Sequence, residues 1–346
     1  MSSPRGGRAL RLGGVPALVA VLAALPYMVS PTGLLDVQSA IGLALFACAT
    51  NLLVGYGGLV SFGQGAFYGT GAYVVALMWL HWHTSFWLGF VAAPFVGALA
   101  ALLVGLVALR TRRLYFALLT LAFSQLFYVV VLQQESFTGG ANGVFGALLP
   151  PFLTGILNAY WFTLGVVVVA LLALWWITRS PFGMTLRAIR ENRDRAQALG
   201  VNVFAHQLLA FVFAGAFCAL AGTLFVVHDQ SANPDILGWV ESGYPVFMAV
   251  IGGQYTFLGP ALGAFVYEEG RDVVLAHFSD WQLVFGLVLL AIVLFSPDGV
   301  AGLLQRAAQR LLGRGADRPG AGAAPPVELA ALDAGGSDMT TVAARR

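Results

Sequence analysis

RSPFGMTLRAIRENRDRAQALGVNVFAHQ, residues Arg179–Gln207, is the only long polar segment that lies between apolar runs of this chain. The ring of Pro181 disfavours the helical region for Ser180 and predicts a turn there. From about Met184 the composition favours helix, and Leu186, Ile189, Ala196 and Leu199 recur at helical spacing. Arg187/Glu191, Arg190/Asp194 and Glu191/Arg195 stand four apart, where helical side chains can pair. Gly200 is a natural stop, since glycine takes the left-handed conformation that helix ends often need. The stretch therefore reads as a short helix with a charged face and an apolar strip. Segments long enough to cross a bilayer flank it on both sides, so water reaches it from one side only. Two roles fit: a solvated loop with paired surface charges, or a docking helix for a partner at the membrane surface.

Composition supports the membrane setting. The chain of 346 residues is 59% hydrophobic and 10% charged, with a mean hydropathy of +0.81. A soluble domain carries roughly 25% charged residues. Many runs approach the roughly 20 apolar residues of a transmembrane helix, and continuous runs exclude the alternating strands of a β-barrel. The fold class is all-α and polytopic, with about 10 transmembrane helices in sequence order, as the hydrophobic runs predict. Cys48 and Cys218 lie inside apolar runs and read as small buried hydrophobes. Every basic residue is arginine, so a phosphate-binding loop of the Walker A type, which needs lysine, is excluded. If ATP is used, another chain binds it.

Taken in order, residues 1–14 form a basic cytoplasmic arm, residues 15–303 the transmembrane domain, and residues 304–346 a cytoplasmic, largely disordered tail. The run Val15–Val29 follows Arg5, Arg8 and Arg11 like a signal peptide, but no clear cleavage site follows it, so it reads as a retained first helix. Further helices are expected at about Leu34–Val54, from the glycine-rich stretch to Trp82, and at Trp87–Leu109, Tyr115–Leu132, Ala159–Thr178 and Leu208–Val227. A short segment at Ser242–Ile251, one following Gly252–Gly263, and one at Gln282–Phe295 complete the ten. Ten crossings place both termini on one side, and of eighteen arginines only Arg271 falls elsewhere. The positive-inside rule then makes the termini and Arg179–Gln207 cytoplasmic. The loops Gln133–Gly143 and His228–Trp239 face outward.

Glycine breaks the pattern in both halves, at Gly55–Tyr73 and at Gly252–Gly263. Irregular backbone at membrane depth is tolerated only where protein buries it or it lines a water-filled cavity, and paired interruptions often mark a translocation region. Asn51, Tyr56, Ser61 and Gln64 are the candidate path residues; tight helix packing without a pathway role is the alternative. Glu268, Glu269, Arg271 and Asp272 form a charge cluster within an expected crossing. Charges there are costly and usually functional. Glu268, Arg271 and Asp272 also share a helical face, so mutual pairing at the outer interface is the structural alternative. Five scattered histidines and no nucleophile–base pair give no metal site, cofactor or catalytic residue.

NLLVGYGGLVSFGQGAFYGTGAYV, TGGANG, the segment from Ser180 to Leu224 and GGQYTFLGPALGAF together resemble the permeases of branched-chain amino acid ABC importers. The resemblance runs from about Leu34 to Leu303. It implies that Leu186, Arg187, Ile189, Arg190, Glu191, Asp194, Ala196, Leu199 and Gly200 belong to a coupling segment that meets a cytoplasmic ATPase subunit. Asp194, Arg195 and Ala196 before Gly200 loosely echo that family's coupling-loop pattern, whereas Met184-Thr185 departs from the expected Arg-Ala. The other implied partners are a second permease subunit in a heterodimer, an external solute-binding protein and a small amino acid, with no nucleic acid. Members of the wider family carry urea or short-chain amides, which is one alternative. A stand-alone ion-coupled transporter is the other, and only Glu268–Asp272 would supply its ion ligands.

Overall fold

Without water in the bilayer interior, a chain this apolar must satisfy its backbone internally, and helices do so. The computed structural model describes residues 22–111, 113–146 and 149–277, with isolated positions between 283 and 302. Helix α1, Pro31–Asn51, starts at Ser30, whose Oγ accepts the N–H of Gly33, with Pro31 pre-set in the first turn. It runs into a π-helical turn, Leu52–Gly57, which Gly58 ends in the left-handed conformation (φ +66°). After an irregular stretch come α2, Gln64–Trp82; α3, Phe86–Ala108; α4, Arg113–Gln133; and α5, Ile156–Arg179. The polar segment forms α6, Pro181–Glu191, and α7, Arg193–Ala198. Helices α8, Val203–Asp229, α9, Trp239–Gly252, and α10, Gly259–His277, follow.

Among the described residues, five helices are long and apolar enough to cross a membrane: Pro31–Gly57, Phe86–Ala108, Leu114–Gln133, Ile156–Arg179 and Val203–Asp229. The expected helix at Val15–Val29 lies outside the described residues up to residue 21, and its described end closes in the 3-10 turn Leu25–Tyr27. The expected helix at Gln282–Phe295 and the tail lie almost wholly outside the described residues. One expectation changes. The polar segment is not one helix from Met184 but two, broken at Asn192, which is extended (φ −155°, ψ 103°). Its side chain accepts the N–H of Arg195 at 2.8 Å, so asparagine acts as a cap instead of continuing the helix.

Two helices form the centre. In the span containing α1 83% of the most apolar window is buried, and in α8 67%, against 22–33% in α3, α4 and α5. Helix α8 packs on α1, α2 and α3, while α1 also meets α5, α9 and α10. Small residues permit this. Gly89, Ala93, Gly97, Ala101 and Gly105 recur every fourth residue on the buried face of α3, and Val91, Phe95, Leu99, Leu103 and Val107 on its exposed face. Gly97 and Ala101 meet Gly215 and Ala219 of α8. On the other side of α8, a Cβ at Gly222 would collide with the carbonyl oxygen of Tyr68, and one at Gly71 with that of Ala219. Backbones this close gain dispersion contacts in lipid, where no hydrophobic force pulls helices together.

Two chain segments at one end of the bundle also meet. Val144–Phe145 and Ser231–Ala232 pair as two short antiparallel strands, β1 and β2, with Val144 opposite Ala232. The pairing brings the residues just after the loop Gln133–Gly143 beside the loop His228–Trp239.

Gly222→Ala is expected to lower the stability of the purified protein by about 1–3 kcal/mol through overpacking. Gly165→Ala on α5, where no atom lies within 4 Å of the added carbon, should be neutral or slightly stabilising. Thermal unfolding in detergent compares the two; equal midpoints would show that the α2–α8 contact does not limit stability.

Candidate coupling site at the broken helix

Helix α6 folds back from α5. Ser180 Oγ donates to the carbonyl of Ile177 at 2.7 Å and accepts the N–H of Gly183, and Pro181 opens the helix. Leu186 and Ile189 turn inward and are buried, as is Ala196 on α7. Ile189, Ala196 and Val203 form a small apolar cluster that ties α6, α7 and the start of α8 together. Phe182 stacks on His206 and meets Phe213 edge-on, both from α8. The apolar strip is thus split: three of its four members are buried within this chain, and only Leu199 is left out, at 80% exposure, together with Met184. Gly200 has φ +84°, the left-handed helix end expected of it. Arg187, Glu191, Arg193, Asp194 and Arg195 are exposed, and among the described residues none of the i, i+4 pairs closes to ion-pair distance.

Arg190 is the half-buried exception. Its Nη1 donates to the carbonyl oxygen of Gly55 in the π-helical turn. Its guanidinium lies 4.6 Å from the ring centre of Tyr255, which follows α9, and its stem lies against Gly58. One turn back, the Arg187 guanidinium sits 4.7 Å over the ring of Tyr56. The physical reason is the helix end. The last carbonyls of a helix have no partner within it and carry partial negative charge, and the last turn of α1 contains no basic residue. Helix α6 supplies the cation from elsewhere in the sequence. It thereby touches both glycine-broken segments at once: Gly55–Gly58 and Tyr255.

The irregular stretch between Gly58 and Gln64 is satisfied by hydroxyls. Phe62 N–H donates to Thr120 Oγ1 of α4 at 3.2 Å, and Gly65 N–H to Ser242 Oγ of α9 at 2.9 Å. Ser124 Oγ donates to the carbonyl of Leu237 at 2.7 Å and bonds Ser242 Oγ at 2.8 Å. Ser61 and Gln64 come together, Gln64 Nε2 donating to Ser61 Oγ at 3.2 Å, while Cys218 Sγ donates to Gln64 Oε1 at 3.3 Å. Both are fully buried. Asn51 is buried with its Oδ1 beside the Cα of Gly55, and Tyr56 is the ring under Arg187. The fourth group lies at the opposite end of α1: Glu268 is buried, accepts Ser39 Oγ at 2.7 Å and pairs with Arg271 at 3.4 Å. Glu269 is exposed, and the side chain of Asp272 is outside the described residues. Sequence reasoning missed Tyr255, Thr120, Ser124 and Ser242; lone hydroxyls inside apolar runs were the available signal.

Residues 37–294 match the family described as branched-chain amino acid transport system / permease component, and the chain belongs to that family. It is a multi-pass membrane protein of the ABC transport class. Among its relatives, the high-affinity branched-chain amino acid transport system permease protein LivM of Salmonella typhimurium is 27% identical over 314 residues, 82% of this chain and 73% of the relative. LivM of Escherichia coli gives the same figures. The autoinducer 2 import system permease protein LsrC of Salmonella typhi is 31% identical over 175 residues, 48% of each chain. No solved structure matches.

Arg190→Met keeps the stem against Gly58 but removes the donor, and should cost about 1.5–3 kcal/mol of stability, the range for hydrogen bonds to charged groups. Arg187→Met should cost about 0.5–1 kcal/mol, as for an exposed cation–π contact. Arg190→Lys should recover only part of the loss, because an ammonium lacks the flat fork that bonds and stacks together. Unfolding of the purified variants measures all three, and equal losses for Arg190→Met and Arg187→Met would contradict the clamp.

Proposed function

We propose that this chain is the membrane-spanning subunit of an importer of branched-chain or similar amino acids, driven by separate cytoplasmic ATPase subunits that dock on α6 and α7. An external binding protein delivers the substrate, and a second permease subunit completes a heterodimer. In this reading both termini are cytoplasmic and about ten helices cross the membrane. The observation that carries it is the contact of Arg190 with both broken segments. A loop helix transmits force only if it is held to the membrane helices on one face and free on the other, and α6–α7 meets both conditions. The substrate class is supported by the names of the LivM relatives. The free face offers Met184 and Leu199 as apolar anchors, ringed by Arg187, Glu191, Arg193 and Asp194. Burial of a leucine contributes roughly 1.5–3 kcal/mol, whereas exposed ion pairs give about 0–1 kcal/mol. Leu199 should therefore dominate affinity, and the charges should set register and choice of partner. Asn51, Tyr56, Ser61 and Gln64 act in this reading as the packed hinge beside the path, their contacts changing as the broken helix moves.

Two variants separate docking from transmission. Leu199→Asp should abolish co-purification with the ATPase, and uptake with it, whereas Arg193→Ala should retain both. Arg190→Ala should keep the ATPase bound yet reduce L-leucine uptake at least tenfold in reconstituted vesicles. Full uptake by both Leu199→Asp and Arg190→Ala would reduce the segment to a solvated loop.

A further inference from the structure

At the end of α1 and α8 opposite to α6, a cavity of about 270 Å³ opens among α1, α2, α8, α9, α10 and the 233–236 loop. Gln38 on α1 and Gly55 at the Arg190 contact are 17 residues apart, so roughly 25 Å of helix separates the cavity from the clamp. None of Asn51, Tyr56, Ser61 and Gln64 lines it.

Its walls divide by chemistry. Leu43, Leu224, Phe225 and Ile236 give an apolar side. Asp235 and Glu241 bring carboxylates, and Arg271 brings a guanidinium, itself paired with the buried Glu268 just behind. Among the described residues, three buried polar atoms of wall residues have no hydrogen-bond partner: Gln38 Oε1, Asn233 Oδ1 and His228 Nδ1. Gln38 is the most telling. The residue is 1% exposed, and its Nε2 is spent on Thr163 Oγ1 at 3.4 Å, leaving an acceptor in the cavity wall. A buried acceptor without a donor is costly, and the amide oxygens of Gln38 and Asn233 accept only. They join the carboxylates of Asp235 and Glu241 in an acceptor-rich wall that calls for a donor with several N–H groups and positive charge.

We propose that this cavity is a binding site within the permease for a small zwitterion, an α-amino acid with an apolar side chain. Its ammonium group has three N–H donors, which match Gln38 Oε1, Asn233 Oδ1 and the Glu241 carboxylate, with the exposed Asp235 adding negative charge at the rim. Its carboxylate turns to Arg271, and its side chain to Leu43, Leu224 and Ile236. The volume lies just below the usual range of roughly 300–1,000 Å³ for ligand pockets, which selects a small ligand. The site rests on the importer reading, to which it adds a second selection step after the external binding protein. Because α1 carries both the cavity wall and the Gly55 carbonyl, filling the cavity and clamping α6 act on opposite ends of one helix.

The test uses the purified full-length chain in lipid nanodiscs, with no binding protein and no ATPase. Binding of L-leucine is compared with isopentylamine, which keeps the ammonium and lacks the carboxylate, with 4-methylpentanoate, which keeps only the carboxylate, and with Na⁺. L-leucine is expected to bind saturably and at least tenfold more tightly than either singly charged analogue. Glu241→Gln and Asn233→Leu should each weaken it at least tenfold while leaving the unfolding midpoint and ATPase co-purification unchanged. Gln38→Met provides a third variant should either of these fail to fold. Absence of saturable binding by the folded protein, or binding indifferent to all three substitutions, would overturn the site. Tighter binding of isopentylamine or Na⁺ than of L-leucine would overturn the zwitterion assignment in favour of a cation. A chain that fails here yet supports uptake with its ATPase loses this site and keeps the importer reading; one that binds L-leucine but supports no uptake does the reverse.

Discussion

A helix that stops inside an apolar protein leaves carbonyl groups that must find donors, and here the donor comes from outside the membrane helices. Helix α1 gives way at Leu52–Gly57, its last turn holds no cation, and Arg190 of α6 donates to the Gly55 carbonyl. In the bilayer interior an unsatisfied backbone group costs several kcal/mol. The loop helix is therefore fixed to the break by the same requirement that makes the break tolerable. Thr120 of α4 takes the N–H of Phe62 in the irregular stretch, and Ser242 of α9, itself bonded to Ser124, takes that of Gly65 at the start of α2. Gly71, Gly97, Gly215 and Gly222 separately let α2, α3 and α8 pack backbone to backbone.

In the proposed reading α1 has two functional ends. Gln38 and Ser39 stand near its start, in the cavity wall, and Gly55 stands beyond its end at the clamp. A rigid helix converts a change at one end into a displacement at the other, with the π-helical turn as the place that yields. Such turns carry poorer hydrogen bonding than an α-helix and often sit at functional positions. Arg190 touches Tyr255 as well as Gly55, so α6 contacts both broken segments.

Much of this was legible in the residues. Apolar runs give the five spans found among the described residues, because lipid imposes a length and a composition on them. The glycine clusters give the breaks, and the arginine-rich stretch gives helix in the loop but not its division at Asn192. The Gly200 stop follows from glycine's conformational freedom alone. Two things were not legible. Periodicity shows that Leu186, Ile189 and Ala196 share a strip with Leu199, but not what covers the strip; three turned inward onto this chain because α8 and the π-helical turn lie there. Nor does spacing show that Arg190, instead of the equally basic Arg187 or Arg193, meets the Gly55 carbonyl, since that contact spans 135 residues. The cavity escaped for the same reason. Gln38, Asn233 and Glu241 are unremarkable singly, and only the fold brings them together.

The claim that Arg190 joins the two broken segments is tested most directly by a double-mutant cycle with Tyr255, scored by L-leucine uptake in reconstituted vesicles with the ATPase present. Groups acting through one contact are non-additive. The account predicts that Arg190→Ala with Tyr255→Ala transports no worse than Arg190→Ala alone. Losses that multiply, each substitution lowering uptake by the same factor in either background, would contradict it.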